Sequence, residues 1–430
     1  MKAPRLLFVA VSTTGYGEVG IGADLADQAA RWGARSHFVL ETHAKALVAG
    51  RGHGYTLVDP GMGESVREVM AETVAEVRPD VIVLSDYFMY CMQLRFRFGV
   101  EPWFIEDFGL PLLPIDIYEW ANTDFRVDMY ENTLPLSDRI LGMPVHLRPV
   151  PSCHPVADGA AGLPYQASRH ADRVTARRRT EVRSELGLGD GDRLLFFPVS
   201  QWHRPPLGTE RGEDVLRVAR RLPELLASHL SRLPGNTHFA LVGSPFEELR
   251  KLPAERTHWL SVVPPEQYGE LLGSSDAVLS LHMPSPTVAR AMFADVPAFA
   301  MVNGYELPKA GGADVLADAM GTVSPRVRDW LDGLDARVRP FRMWPMRWRS
   351  VVDPLLAGNP LDDAVDAAEV FDEAAFVGGL ARVLGDDVTR DRLASARAQY
   401  VDRVTTLPEG DVALREALRR MGVTSPGSAL

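Results

Sequence analysis

The sequence predicts an α/β protein in which short buried strands of parallel sheets alternate with helices. Apolar runs of about five residues recur along the chain without period-two alternation, as expected of strands that are covered on both faces. Helical segments separate successive runs, and this spacing is typical of βαβ units. The chain has 430 residues, which is enough for two domains with full cores.

Composition narrows the classes of function. Hydrophobic residues make up 46% and charged residues 24% of the chain, as in a soluble globular protein. The net charge of −11 argues against nucleic acid as a partner. The two cysteines, Cys91 and Cys153, are too few for a disulfide framework or a cysteine-rich metal site. No apolar run is long enough to cross a membrane, and Leu6–Val11 is too short for a signal peptide, so we expect a cytoplasmic protein without a membrane partner.

A glycine-rich segment follows the first predicted strand, Leu6–Val11. Gly15, Gly17 and Gly20 match G-x-G-x-x-G, and Glu41 comes about twenty residues later, which is the pattern of a dinucleotide site. Three polar residues separate the strand from Gly15, which favours instead a loop that lets substrates approach the backbone. The other elements predicted here are strands at Ser36–Leu40, Tyr55–Val58 and Trp103–Glu106 and helices at Ile21–Trp32 and Ser65–Val77.

Carboxylates follow two later strands of the first half. Asp86 lies just beyond a strand entered from Pro79, where ligands collect in open sheets, and a helix N-cap is the equal alternative. Glu106 and Asp107 follow another predicted strand and are either acid–base groups or solvated loop residues. Residues 143–166 are rich in proline and glycine and predict a linker at a domain boundary.

A turn between two strands of the second half carries the most specific signal. Ser285 is a good helix N-cap and Pro286 suits the first helical position, so we expect a helix to start there. A helix N-terminus at the carboxyl end of a parallel strand is an anion site, commonly for phosphate, and an ordinary capped helix has the same pattern. The elements predicted here are strands at Arg193–Pro198, His238–Gly243, His258–Val262, Ala277–Leu281 and Ala298–Val302 and a helix at Glu213–Arg232.

Four segments around this turn form a recognisable series, namely Val263-Pro264, Asp276–Ser280, His282–Thr287 and Ala294–Pro297. The series resembles the donor-binding half of GT-B-fold, nucleotide-sugar-dependent glycosyltransferases. The segments correspond to that family's valine–proline loop, its next strand, its histidine turn and its Ala-Gly-Val-Pro close. The chain departs from the family where Met283 and Pro284 replace glycines of the turn and Arg290 replaces the usual glutamate.

The resemblance implies an α/β fold of GT-B architecture, with two Rossmann-like domains that face a cleft and C-terminal helices that cross back. We expect an N-terminal acceptor domain over 1–165, a nucleotide-sugar donor domain over 180–370 and bracing helices over 371–430. The implied reaction moves a sugar from a UDP, GDP or dTDP donor to an oxygen or sulfur of a small soluble acceptor, with inversion, in specialised metabolism. This design requires no metal and no cofactor besides the nucleoside diphosphate sugar.

The resemblance also implies site residues. His282 and the helix start at Ser285 and Thr287 would stabilise the departing diphosphate. We add Glu18, the only carboxylate of the glycine-rich segment, which would activate the acceptor as a base or serve as a helix-start carboxylate. The other residues expected to contact donor or acceptor are Gly15, Gly17, Ser200, Gln201, Arg204, Gly243, Val263 and Glu306.

Three other functions fit parts of the sequence. An NAD-dependent oxidoreductase would use Gly15, Gly17, Gly20 and Glu41. A nucleotide-sugar 2-epimerase would share the GT-B fold, and an inactive GT-B homologue would act as a partner subunit. For a transferase, the expected partners are the nucleotide-sugar donor and the small-molecule acceptor, and a homodimer is allowed.

Overall fold

A computed structural model describes residues 3–12, 15–119, 126–129, 132–135, 139, 142–150, 153–156, 162–167, 173–200, 203, 212–261 and 263–423. Contacts divide the chain into two compact units. The first unit comprises Met1–Ala121, Ser137–Ser168 and Arg403–Leu430, and the second comprises Asn122–Leu136 and Arg169–Asp402. Residues 122–136 therefore group with the second unit although they fall within the predicted acceptor domain, and residues 403–430, part of the predicted bracing helices, group with the first.

The strands of the described residues are β1 (Arg5–Ala10), β2 (Arg35–Leu40), β3 (Gly54–Leu57), β4 (Val81–Leu84), β5 (Leu112–Pro114), β6 (Arg126–Met129), β7 (Asn132–Pro135), β8 (His146–Val150), β9 (Gly162–Gln166), β10 (Arg193–Val199), β11 (Thr237–Gly243), β12 (Thr257–Leu260), β13 (Ala277–Ser280), β14 (Ala298–Val302) and β15 (Val365–Glu369). The α-helices are α1 (Gly17–Ala30), α2 (Lys45–Ala49), α3 (Val66–Val77), α4 (Tyr87–Gln93), α5 (Ala176–Glu185), α6 (Glu213–Ser231), α7 (Pro265–Gly273), α8 (Pro286–Ala294), α9 (Gly312–Met320), α10 (Pro325–Asp332), α11 (Arg349–Leu356), α12 (Pro360–Asp363), α13 (Glu373–Gly385), α14 (Asp387–Thr405) and α15 (Gly410–Arg420).

The first unit is built on a parallel sheet with the strand order β3-β2-β1-β4-β5. Its central strand β1 is apolar and buried over most of its length, as expected of a strand in a parallel sheet that is covered on both faces. Phe8 of β1 stacks on Phe38 of β2 with ring centroids 4.7 Å apart. The final helix α15 also belongs to this core, since the Gly410 N–H donates to Gln28 Oε1 of α1 at 2.8 Å and Leu414 is fully buried.

The second unit contains a larger parallel sheet with the order β12-β11-β10-β13-β14-β15. Asp276, just before β13, fastens α5 to the amino-terminal edge of this sheet. Its carboxylate accepts hydrogen bonds from Arg179 at 2.7 Å, from Arg183 at 2.8 Å and from the Leu194 N–H at 2.7 Å. These three donors offset the cost of burying the carboxylate, and loss of either arginine would leave it with too few partners.

The structure confirms the predicted α/β class and most strands of both halves, but Trp103–Glu106 is not a strand. Residues Pro102–Phe108 form a 3₁₀ helix that begins with a proline and ends at Gly109, whose φ of 63° lies in the left-handed region. Glu106 and Asp107 consequently precede β5, at the amino-terminal edge of the sheet, and Glu106 lies 3.5 Å from Arg139. The expectation that these two acids follow a strand is wrong.

The proline-rich stretch at 143–166 is not all loop. It contains β8 and β9, which pair in parallel as a separate two-stranded sheet. Pro149 and Pro164 are tolerated there because each strand has one ladder partner and only an isolated bridge to a further segment, at Leu147 and at Gln166. Composition alone therefore missed these two strands.

Candidate functional site

Both large sheets have a point where the chain connections leave in opposite directions, and ligands of open parallel sheets bind outside the carboxyl ends of the strands there. In the first unit this switch point lies between β1 and β4, and in the second unit it lies between β10 and β13. Polar side chains follow all four of these strands. We call the two locations the first and the second switch point and describe each one separately.

Glu18 lies at the first switch point, in the first turn of α1. Ser12, directly beyond β1, donates a hydrogen bond from Oγ to Glu18 Oε2 at 3.3 Å. A Cβ at Gly15 would lie 2.7 Å from that same carboxylate oxygen, so a larger residue there would displace the Glu18 side chain. Burial raises the pKa of Glu18 above its ordinary value. The structure thus places a carboxylate with increased basicity beside Gly15.

Asp86 reaches the first switch point from the end of β4. Its Oδ1 caps α4 by accepting a hydrogen bond from the Met89 N–H at 3.0 Å, while Oδ2 is buried without a hydrogen-bond partner among the described residues. Burial, followed by the negative charge of Glu18, raises the pKa of Asp86 well above its ordinary value. The structure confirms that Asp86 is a helix N-cap, and the charge of Glu18 acts on it, while a role of Asp86 in ligand binding stays a prediction.

The glycine motif does not form the turn of a dinucleotide site. Helix α1 begins at Gly17 rather than at Ile21, so Gly17 and Gly20 are helical. A Cβ at Gly20 would meet no atom within 4 Å, whereas one at Gly22 would lie 2.7 Å from Ser85 Oγ, so the close approach of helix and strand occurs at Gly22. The expectation that Gly17 belongs to a loop after β1 is wrong.

Glu41, the carboxylate that would bind the ribose of NAD, is engaged elsewhere. It is buried, and both of its oxygens lie 3.3 Å from Arg97 Nη1. A carboxylate that is held by a guanidinium in this way does not present its oxygens to ribose hydroxyls. The geometry of the first unit therefore disfavours the oxidoreductase interpretation.

Two histidines meet at the second switch point. His203 follows β10 and His282 follows β13, and His203 Nε2 lies 3.2 Å from His282 Nδ1. The Ser200 N–H donates to His203 Nδ1 at 3.2 Å. Burial lowers the pKa of His282 to about 3, and burial together with the neighbouring His282 lowers the pKa of His203 well below its ordinary value. Both rings are therefore uncharged at neutral pH.

Helix α8 starts at Pro286 with Ser285 as its N-cap, as predicted. Ser285 Oγ accepts hydrogen bonds from the Thr287 N–H at 3.2 Å and the Val288 N–H at 3.5 Å, so the cap already occupies part of the donor set expected to meet a diphosphate. The Thr287 hydroxyl lies 2.6 Å from the Tyr268 hydroxyl of α7. The positive end of α8 still faces the carboxyl end of β13, where the partial charge of a helix N-terminus favours an anion.

The structure distributes the other predicted donor residues along the same edge. Ser200 directly follows β10, and Gly243 ends β11 with a φ of 99°, where a Cβ would lie 2.7 Å from the Val199 carbonyl oxygen. Val263 lies between β12 and α7, and Glu306 is exposed after β14. Gln201 and Arg204 lie outside the described residues.

Sequence reasoning missed Glu369, at the end of β15. Its Oε2 accepts a hydrogen bond from the Gly304 N–H at 2.6 Å, and its Oε1 is buried without a hydrogen-bond partner among the described residues. Burial raises the pKa of Glu369 to about 7. The sequence offers little signal for it, because the stretch beyond residue 310 is mostly helical in pattern and conceals β15.

The described residues contain no group of three or more His, Cys, Asp or Glu side chains that could hold a metal ion. Within the same ranges, none of the helices combines the length and the hydropathy needed to cross a membrane.

A family model described as a family of unknown function, DUF6365, matches residues 25–422. The chain belongs to this family. No curated protein matches the sequence. The family description carries no activity, so solved structures provide the remaining comparison for this DUF6365 member.

Several solved structures resemble the chain over nearly its full length. The spinosyn rhamnosyltransferase SpnG is 15% identical with a TM-score of 0.54, and the alignment covers 96% of this chain and 99% of SpnG. HepE from Anabaena is 13% identical with a TM-score of 0.52, and the alignment covers 98% of this chain and 100% of HepE. The calicheamicin glycosyltransferase CalG4 is 12% identical with a TM-score of 0.53, and the alignment covers 99% of this chain and 100% of CalG4. At identities this low, the structural similarity shows the fold alone. The DUF6365 member therefore has the predicted GT-B fold.

Proposed function

We propose that the protein is a glycosyltransferase that moves a sugar from a nucleoside diphosphate sugar to a small soluble acceptor. The observation that carries the proposal is the different chemistry of the two switch points within a GT-B chain. The first offers carboxylates that can accept a proton, and the second offers uncharged imidazoles beside a helix N-terminus. Glycosyl transfer needs both functions, because the acceptor must lose a proton and the leaving diphosphate must be stabilised.

Ligands of the structural neighbours support this division of roles. HepE is found in complex with UDP-glucose, and SpnG is found with thymidine diphosphate and with spinosyn aglycone. We assign a UDP, dTDP or GDP sugar to the second unit and an acceptor of specialised metabolism to the first. No metal or further cofactor takes part in the proposed reaction.

In the proposed step, Glu18 removes the proton from an acceptor hydroxyl or thiol as that oxygen or sulfur attacks the anomeric carbon. The bond between the anomeric carbon and the diphosphate oxygen breaks, and the diphosphate leaves with the electron pair, which inverts the configuration. Burial and the charge of Glu18 favour a proton on Asp86, so that Glu18 remains the ionised base. A raised pKa suits Glu18 to this task, because a base near the working pH removes protons most effectively.

The departing diphosphate meets uncharged donors in this scheme. His282 and the first turn of α8, beginning at Ser285 and Thr287, lie at the end of β13 and would bind its oxygens. Ser200, Gln201 and Arg204 would extend this contact, while Gly243 and Val263 border the nucleotide and Glu306 binds sugar hydroxyls. Gly15 gives the acceptor access beside Glu18.

Thermal shift measurements with UDP, GDP, dTDP, CDP and NAD test the proposal. At 100 times its Kd, a nucleotide that binds only the folded protein adds about 2.7 kcal/mol to the free energy of unfolding. We expect a rise in Tm with at least one nucleoside diphosphate and none with NAD. A rise with NAD alone would contradict the transferase and restore the oxidoreductase.

Product analysis with the stabilising nucleotide's sugar completes the test. Transfer to an added acceptor is the expected outcome. Conversion of the nucleotide sugar to its 2-epimer without any acceptor would instead identify an epimerase of the same fold.

A further inference from the structure

A directed hydrogen-bond chain connects the end of β10 to the ring of His282. It starts at the Ser200 N–H, which lies 3.2 Å from His203 Nδ1, and continues from His203 Nε2 to His282 Nδ1, also at 3.2 Å. A backbone N–H can only donate, so His203 Nδ1 must accept and carries no proton. A neutral His203 therefore has its proton on Nε2.

The same reasoning fixes the proton of the second ring. Because His203 Nε2 donates, His282 Nδ1 must accept, and the proton of a neutral His282 resides on Nε2. His203 is fully buried, which disfavours a charged form of either ring and keeps the direction of the chain. The backbone amide of Ser200 therefore determines the tautomer of His282, and it does so through the ring of His203.

The backbone of His282 is also held in place, so the chain acts on a fixed ring. Ser280 Oγ donates to the His282 carbonyl oxygen at 2.6 Å, and the residues around Met343 pair with this turn as an antiparallel bridge. The two imidazole rings contact each other with centroids 5.2 Å apart and an interplanar angle of 58°. Ring orientation and tautomer of His282 therefore depend on the contact with His203.

We propose that His203 is a positioning residue that holds His282 as an uncharged Nε2–H donor for the leaving diphosphate. This inference rests on the proposed transferase function. It adds His203, which acts by orienting His282 rather than by contacting the diphosphate itself. An uncharged donor binds the diphosphate of the intact sugar donor modestly and stabilises it more as negative charge develops on its oxygen. Such a donor raises kcat more than it lowers KM.

Two substitutions of His203 separate positioning from simple space filling. In His203→Gln the amide Nε2 occupies the place of the imidazole Nε2 and can still donate to His282. In His203→Asn the amide reaches only the place of Nδ1, so the donor to His282 is lost although a polar side chain remains. The two variants therefore form a matched pair that differs in one hydrogen bond.

The first measurement requires no substrate. Two-bond ¹H–¹⁵N correlation spectra of the protein labelled with ¹⁵N-histidine report the tautomer of His282 at pH 7. We expect the Nε2–H form in the wild type and in His203→Gln and a mixture of tautomers in His203→Asn. An Nδ1–H form in the wild type, or an unchanged tautomer in folded His203→Asn, would overturn the proposal.

The second measurement addresses the diphosphate. Addition of UDP or dTDP, whichever raises the Tm, should shift the Nε2–H proton resonance of His282, and kcat should fall about 10- to 100-fold in His203→Asn while KM changes less than about 3-fold. His203→Gln should recover most of the loss. A bound nucleotide that leaves the Nε2–H resonance unchanged would refute the role of His282 as its donor.

The two failures can be told apart. If the tautomers behave as expected but no nucleoside diphosphate binds, the transferase function has failed and the diphosphate role of His203 falls with it, while the hydrogen-bond chain itself stands. If nucleotides bind and sugar is transferred but the tautomer of His282 does not depend on His203, only the positioning role has failed.

Discussion

The two switch points occupy the same place in two sheets of similar topology, yet they differ in charge. At the first, burial raises the pKa of both carboxylates, Glu18 and Asp86, and the negative charge of Glu18 raises the pKa of Asp86 further. At the second, burial lowers the pKa of both His203 and His282, because it disfavours the charged imidazolium. The same burial therefore produces proton acceptors in one unit and uncharged donors in the other.

In each sheet the strand order fixes the place of the switch point, and the residues at the strand ends fix which chemical groups are available there. β1 and β10 are both inner strands with a neighbour on each side, and each is followed in the chain by a candidate site residue. What differs is the residue type placed next, a serine and a glutamate after β1 and a serine and a histidine after β10. Function must accordingly be argued from these side chains rather than from the fold.

The largest effect is expected from substitution of Glu18, the proposed general base. Glu18→Gln should lower kcat by about 10²- to 10⁴-fold with an alcohol acceptor, because the amide cannot take its proton. Steady-state kinetics measure this loss. Glu68→Gln is the matched control, since Glu68 is also an acidic residue in the first turn of a helix, but on the exposed side of α3. Unchanged rates with every acceptor would leave Glu18 as a helix-start carboxylate.

The partner substitution decides which carboxylate is the base. Asn resembles a protonated aspartic acid and can still cap α4 through its carbonyl oxygen, so Asp86→Asn should cost less than about 10-fold in kcat. A loss as large as that of Glu18→Gln would assign the base to Asp86 and reverse the proposed roles. The same kinetic assay serves for both variants.

Removal of His282 tests the second switch point. His282→Ala should lower kcat by about 10²- to 10³-fold and weaken nucleotide binding less, because an uncharged donor acts mainly on the developing charge. Since the pKa of His282 is about 3, His282 should cause no transition near pH 6.5 in the rate of the wild type. Its acid limb should instead follow Glu18, with activity falling as pH decreases through the raised pKa of that carboxylate. Wild-type kcat in the variant would make His282 a structural residue.

The smallest effect concerns stability at the edge of the second sheet. The pKa of Glu369 is about 7 in the folded protein and 4.5 in the reference state, so ionisation destabilises the fold progressively as pH rises from about 4.5 to about 7. Glu369→Gln should therefore raise the Tm more at pH 8 than at pH 5. The corresponding gain in the free energy of unfolding should be larger at pH 8 by roughly 1–3 kcal/mol. An equal change at both pH values would show that the carboxyl is not buried as described.

Apolar runs with clear boundaries were predictable from the sequence. Ala298–Val302 coincides with β14 because Pro297 and Asn303 delimit it, and α8 starts at Pro286 because the cap and the proline specify that position. Trp103–Glu106 failed because aromatic residues suit a strand as well as a short 3₁₀ turn, and the preceding proline decided the outcome. The hydrophobic pattern therefore predicted the element correctly where helix caps and prolines supported the same boundaries.

Contacts between distant residues were not predictable in the same way. His203 and His282 are 79 residues apart, and their contact depends on the adjacency of β10 and β13. Glu18 could be named as the only acid of its segment, but its pairing with Asp86 depends on the adjacency of β1 and β4. The sequence thus locates candidate residues, while the strand order determines which of them act together.

Hydrogen–deuterium exchange with and without a saturating nucleoside diphosphate tests the central claim, that the two switch points have separate roles. The claim predicts slower amide exchange in peptides that contain His203 and the first turn of α8, and unchanged exchange in peptides that contain Glu18 and Asp86. Protection of the Glu18 and Asp86 peptides, with none around His203 and Thr287, would contradict it.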